Sequence, residues 1–374
     1  MSSLLLSRLS RLRLRKPPAL GVRHLGGARF LSETPLCHIY GVEHCGEDRV
    51  KGNIGRLMIT DFSGPSCWTR VLEKTVPMEM MTETGTMGAS HGWVLTWRDG
   101  CPYLADDLNP GASSAFSGIT LPHFETLPHC QTKLVTNVAM SSSSPRDDDE
   151  DCILAVKFAG PQLSLCRPAG KNNKWVNIKI ENPGFSSSRV IYSKMDNKFA
   201  MVASGGRSIG YWNLVDEKFK VETCGLVLPE LLESEWEELD SCCKTQELVE
   251  SRSTKEMFMI KRFRKRNNEE SGGGRMEEHK MWVFELQYSD WCYTQDIGDL
   301  CIFLSKSEPF CLKASSHQKC KNSIYFLDKT ERGIFTIADK CKTSNFSNFT
   351  APYFIPPQSY LNASRSNPSS TFFF

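Results

Sequence analysis

The sequence predicts an all-β protein, a β-propeller preceded by a cleavable presequence, and three observations carry that expectation. About a dozen runs of four to eight residues, rich in Val, Ile, Phe, Tyr and Trp, are bounded by Gly, Asn, Asp or Pro, as short strands are. One segment alone, LPELLESEWEELD at 228–240, reads as a helix. The chain has 374 residues, too many for a single sandwich, whereas small repeated sheets that pack on their neighbours accommodate such a length.

The opening stretch, MSSLLLSRLSRLRLRKPP, is built from Arg, Ser and Leu. Residues 1–31 hold six arginines and Lys16, and the first acid is Glu33. That is the composition of an organelle transit peptide. Pro17 and Pro18 end any helix there, and Arg29-Phe30-Leu31-Ser32 resembles a matrix-processing site. The arginines interrupt the leucines, which argues against a secretory signal. The expected address is the mitochondrion, most directly its matrix, with a plastid or dual targeting as the alternative. A basic helix lying on a membrane or on RNA is the structural alternative. With those seven bases set aside, 38 bases face 43 acids, a net of −5. A body of that sign is a poor general nucleic-acid binder. No run of 18 apolar residues exists, so no spanning helix is expected.

The strand-like runs come in order. HGWVLTWRDG ends in Asp-Gly, and DCILAVKF, QLSLCRP and KNNKWVNIKI follow. VIYSKMDNKFAMVASGGRSIGYWNL divides into three at Asp196-Asn197 and Gly205-Gly206. MFMIKRF, KMWVFEL, DLCIFLS, SIYFLDK and GIFTIADK complete the set. Three segments read as additions: the acidic loop Ser141–Asp151, a solvated hairpin tip across Lys261–Lys280, and a Ser/Asn/Pro-rich tail over 342–374. The expected layout is therefore a leader at 1–31, a propeller at 37–341 and an extended tail at 342–374, in which 352–357 could pack on the body. Trp93, Trp97, Trp175 and Trp212 read as core.

Several stretches together resemble the plant DUF295 family, whose domain is the KIB-type β-propeller. They are Ser90-His91-Gly92-Trp93, Leu108-Asn109-Pro110 with Leu121-Pro122, and Leu165-Cys166-Arg167-Pro168 with Lys174-Trp175. Glu247–Ser251, Val283–Leu286, Ile297-Gly298-Asp299 and Asn322–Phe326 follow in the same order. The resemblance implies a propeller. Many relatives carry an F-box and act as substrate receptors of SCF ubiquitin ligases. Here a presequence runs almost directly into the body, and Leu228-Pro229-Glu230-Leu231-Leu232 imitates an F-box opening only in mid-chain. The chain resembles instead the organellar subgroup without an F-box, to which the resemblance assigns no catalytic residue and no cofactor.

The chemistry-bearing motifs each have a plainer reading. Gly88-Ala89-Ser90-His91-Gly92 matches the Gly-x-Ser-x-Gly pattern, but a nucleophile elbow needs a strand before it and a helix after, and WVLTW reads as a strand. Gly205-Gly206-Arg207-Ser208 reads as a hairpin turn rather than a phosphate loop. Cys37, His38, His44 and Cys45 lack the second half of a zinc site, and the 15 cysteines read as free thiols. Asp147–Asp151 lacks the interleaved pattern of a calcium loop. Lys261, Arg262, Arg264, Lys265 and Arg266 surround Phe263 and form a candidate interaction loop, with charge for phosphate and a ring for stacking. Four nearby acids offset it. The sequence therefore points to a non-enzymatic organellar module that binds a protein partner or ligand. An SCF substrate receptor and an organellar RNA-associated factor are the alternatives.

Overall fold

The structure is a computed structural model. It describes residues 31–361, except for 35, 49–51, 62–67, 83–84, 112–117, 131–133, 146–151, 171–172, 268–274, 315–320, 329–330 and 347–352. Most of the presequence and the acidic run Asp147–Asp151 lie outside the described residues.

The described residues form six successive blades between Glu33 and Gln358. Blade 1 orders its strands as Tyr353–Ile355, Cys37–Asp48, Gly52–Asp61 and Trp68–Pro77. Blade 2 comprises Gly88–Ser90, Trp93–Arg98, Cys101–Ala105 and Ile119–Thr120. Blade 3 comprises Val135–Met140, Leu154–Phe158, Gln162–Cys166 and Val176–Lys179. Blade 4 comprises Val190–Ser193, Lys198–Val202, Ser208–Asn213 and Lys218–Thr223. Blade 5 comprises Cys243–Ser251, Glu256–Asn267, Arg275–Gln287 and Asp290–Thr294, with Gly225–Val227 added in parallel outside. Blade 6 is irregular: Phe310–Lys313, Leu300–Leu304, Ser323–Leu327, Glu331–Thr336 and Cys341–Phe346, with the second and third strands parallel. One pairing, Ser251 with Cys311, joins blades 5 and 6.

Burial on both faces explains why the central strands read as continuous apolar runs rather than alternating ones. In Lys198–Val202, Phe199 and Met201 pack toward blade 3 while Ala200 and Val202 pack toward blade 5. The same division repeats at every junction, so six apolar clusters lie between consecutive blades. The last joins Phe303 and Tyr325 of blade 6 to Leu36 and Phe354 of blade 1 and closes the ring. At the junction of blades 3 and 4 the buried Lys157 ammonium donates to the carbonyls of Gly160 and Ser186. Burial pushes that group down to about 8.

Four sequence expectations change. The tail does not begin at 342. Residues 341–346 are the outer strand of blade 6, and Tyr353–Ile355 pairs with Cys37–Ile39 to complete blade 1. Three residues beside Pro356 carry too little pattern to read as a strand. The segment 261–280 is not a solvated tip throughout: its arms pair with each other, and Arg262, Phe263 and Glu278 are buried. Helix formation starts at Glu233 and ends at Asp240. Leu228–Leu232 stays non-helical, so this stretch does not open a helical module. The helix is seated by Leu239 and by Trp236, whose ring lies edge-on to Trp282 at 5.6 Å. Trp97 is 43% exposed near the end of the second strand of blade 2, against Phe124, whereas Trp93 and Trp212 are buried.

Candidate functional site

The centre of the ring is occupied by the segment Ser305–Glu308, which links the two inner strands of blade 6. Its polar residues meet donors and acceptors left unpaired on the inner edges of the other blades. The Ser307 hydroxyl donates to the carbonyl of Phe354, and the Phe354 amide donates to Ser305 Oγ, in blade 1. Glu308 donates its amide to the carbonyl of Ala89 in blade 2. The Ser90 hydroxyl donates to Glu308 Oε2 at 2.5 Å and accepts from the Met140 amide of blade 3. Glu308 Oε1 accepts from the Tyr192 amide of blade 4 at 2.8 Å. Arg189 donates to the carbonyls of Ser305 and Ser307 and to Glu247 of blade 5, the last at 2.8 Å. The segment thus ties all six blades together at the axis.

Beside this hub one end of the axis opens into a cleft of about 650 Å³, solvent included. Its polar lining is His91, Tyr192, Glu250, Arg252 and Glu308. Ile191, Phe310, Leu312 and Pro356 supply apolar wall. Burial is the largest influence on Glu308 and His91. It pushes Glu308 up to about 7, against the bonds from Ser90 and Tyr192, which favour the anion. It pushes His91 down to about 3, helped by the charges of Arg252 and Lys194. His91 sits at φ +50 and Gly92 at φ +79. A Cβ at Gly92 would lie 2.1 Å from Asn109 Oδ1, and Asn109 donates to the His91 carbonyl. Two of the resembling motifs therefore dock on each other and hold His91 at the cleft. Another pair does the same farther out, where the Trp175 indole donates to the Pro122 carbonyl at 2.8 Å.

Ser90 stands in a strand–turn–strand hairpin, its proton engaged by Glu308, which is not the setting of a nucleophile elbow. Gly205 and Gly206 have φ of +89 and +85 in a hairpin turn. Cys37 and His38 are separated from His44 and Cys45 along one extended strand by roughly 20 Å. The described residues contain no group of three or more His, Cys, Asp or Glu able to hold a metal.

The basic run is spread over two faces of one strand. Arg262 is buried and binds Glu278 at 2.5 Å and Glu247 at 3.4 Å. Arg264 reaches Asp328 at 3.0 Å, and Lys265 reaches Glu238 at 2.9 Å. Lys261 lies over the Phe263 ring, whose face is buried among blades 4 and 5. Arg266 is exposed. Period-two alternation sends Arg262 and Arg264 to one face and Lys265 to the other, and the carboxylates that meet them include three from outside the run's own hairpin, Glu247, Asp328 and Glu238. The axial cleft was not legible as a site. Its residues come from five separate segments, and Glu308-Pro309 reads as an ordinary turn between two apolar runs.

No described helix is long and apolar enough to cross a membrane. No curated protein matches the chain. Among solved structures, the WD40 domain of SCAP from fission yeast is similar at 10% identity and a TM-score of 0.36, over 86% of this chain and 66% of that one. A putative 6-phosphogluconolactonase from Bacteroides fragilis is similar at 11% identity and a TM-score of 0.38, over 85% and 97%. The family model of the KIB1-4 β-propeller matches residues 62–343, from the outermost strand of blade 1 into the last strand of blade 6. With the ring, its axial hub and the paired motifs of blades 2 and 3 in place, the chain belongs to the KIB1-4 β-propeller family.

Proposed function

We propose that this chain is a non-catalytic propeller that recognises a protein partner or a ligand through the cleft at one end of its axis, and that it works inside an organelle, the mitochondrial matrix before a plastid. The observation that carries the reading is the hub. Ser305–Glu308 engages the polar inner edges of the blades, including the Ser90 hydroxyl, and leaves a lined cleft without an activated nucleophile. The Arg-rich, acid-free leader supports the address. The ion pairs of Arg262, Arg264 and Lys265 weigh against the RNA reading, because those charges are already matched. The mid-chain helix, seated on blade 5, weighs against Leu228–Leu232 as a ligase handle.

Proximity labelling from the full-length protein in living cells tests the reading, using wild type and Leu312→Trp, which fills the cleft. Organellar neighbours that disappear with Leu312→Trp are expected. Cytosolic or nuclear neighbours that include ligase adaptors, or neighbours unaffected by the substitution, would overturn it.

A further inference from the structure

The same cleft holds two opposite charges whose bonding is incomplete. Glu250 is 9% exposed; one carboxylate oxygen accepts from the Lys194 amide, and the other has no hydrogen-bond partner. A buried carboxylate oxygen left without a donor is costly, and a ligand that supplies one recovers that loss. Arg252, two residues further along, is exposed and makes no hydrogen bond or ion pair with any described residue. His91 stays neutral there and adds no second positive charge. A simple anion entering the cleft would meet Glu250 and Glu308, and a simple cation would meet Arg252.

We propose that the cleft takes a small zwitterion of the α-amino-acid type. Its ammonium donates to the free oxygen of Glu250, its carboxylate meets Arg252, and its apolar side chain lies on Ile191 and Phe310. This rests on the reading of the cleft as a recognition site and specifies what enters it. A peptide N-terminus shares the ammonium but not the adjacent carboxylate, so the two sources can be told apart.

Titration calorimetry on the purified full-length chain uses L-leucine and L-phenylalanine, then leucinamide, which lacks the carboxylate, and N-acetyl-leucine, which lacks the ammonium. Saturable millimolar or tighter binding of a free amino acid is expected. Each blocked form is expected to bind at least about tenfold more weakly, since a site built around a polar group rejects the analogue lacking it. Glu250→Gln weakens leucine by a similar factor. Arg252→Gln, at an exposed side chain, weakens leucine and leaves leucinamide unchanged. No saturable binding of either amino acid, equal binding of the blocked forms, or an Arg252→Gln loss shared by leucine and leucinamide would overturn the proposal. If labelling still responds to Leu312→Trp while amino acids do not bind, the zwitterion alone fails. If labelling does not respond, the reading beneath it fails.

Discussion

Glu308→Gln isolates the one carboxyl at the centre of the ring. Its ordinary value is 4.5, and burial at the hub raises it to about 7 in the folded protein. A raised carboxyl binds its proton more tightly when folded than when unfolded. Between these two values the folded state holds about one proton more, so stability falls as pH rises, by about 1.4 kcal/mol per pH unit. Across the 2.5-unit window between 4.5 and about 7, the loss is about 3 kcal/mol. Below pH 4.5 the group contributes nothing to the slope, and above about 7 the loss is complete. Glutamine mimics the protonated form: it keeps an acceptor for the Tyr192 amide and places a donor toward Ser90. Urea denaturation of wild type and variant at pH 5, 6, 7 and 8 reads the difference. His91, Tyr192, Glu250 and Arg252 face the same cleft in both proteins, so their contributions largely cancel. The variant should gain on wild type by about 2.5 kcal/mol between about pH 5 and 8, most of it below pH 7. A difference between the two proteins that stays constant with pH would refute a buried, elevated carboxyl at the axis.

Trp282→Ala removes a ring 1% exposed and packed edge-on against Phe263 and Trp236, and should cost about 3–5 kcal/mol in denaturant. Arg262→Ala leaves Glu278 buried without its close counter-charge, while Glu247 keeps Arg189, and should cost about 3–5 kcal/mol. Arg262→Met with Glu278→Leu should recover much of that loss, because the pair is then replaced by apolar groups. Ending the chain at 341, the boundary that composition suggests, removes Tyr353–Ile355 and the Tyr353–Thr86 bond. That truncation should abolish cooperative unfolding, whereas ending at 361 should preserve it.

The fold was legible wherever a strand is buried on both faces. DCILAVKF, KMWVFEL and DLCIFLS are largely apolar without strict alternation because blades press on them from either side. Blade 1 was not legible in that way. Cys37–Asp48 carries bulges at Ile39–Gly41 and His44–Gly46, and its outer half is largely exposed, so its composition resembles a loop. Composition counted the bases of 261–266 correctly but could not see Glu247, Glu238 and Asp328, which fold back to meet them. The axial hub escaped for a similar reason. Ser305-Lys306-Ser307-Glu308 is polar because it must satisfy the inner edges of the surrounding blades, and sequence order does not reveal that demand.

Blade 1 has its innermost strand from one end of the chain and its other three from the opposite end. Those contacts span nearly the full length of the folded region, and long-range pairing of this kind forms late and slowly. Until Tyr353–Ile355 is delivered, Cys37–Ile39 lacks its neighbour and the hub lacks its anchor at Phe354. The polypeptide therefore remains an unclosed string of blades until Tyr353–Ile355 arrives. Ring closure is in this sense the property of two short segments, Cys37–Ile39 and Tyr353–Ile355, rather than of any one blade.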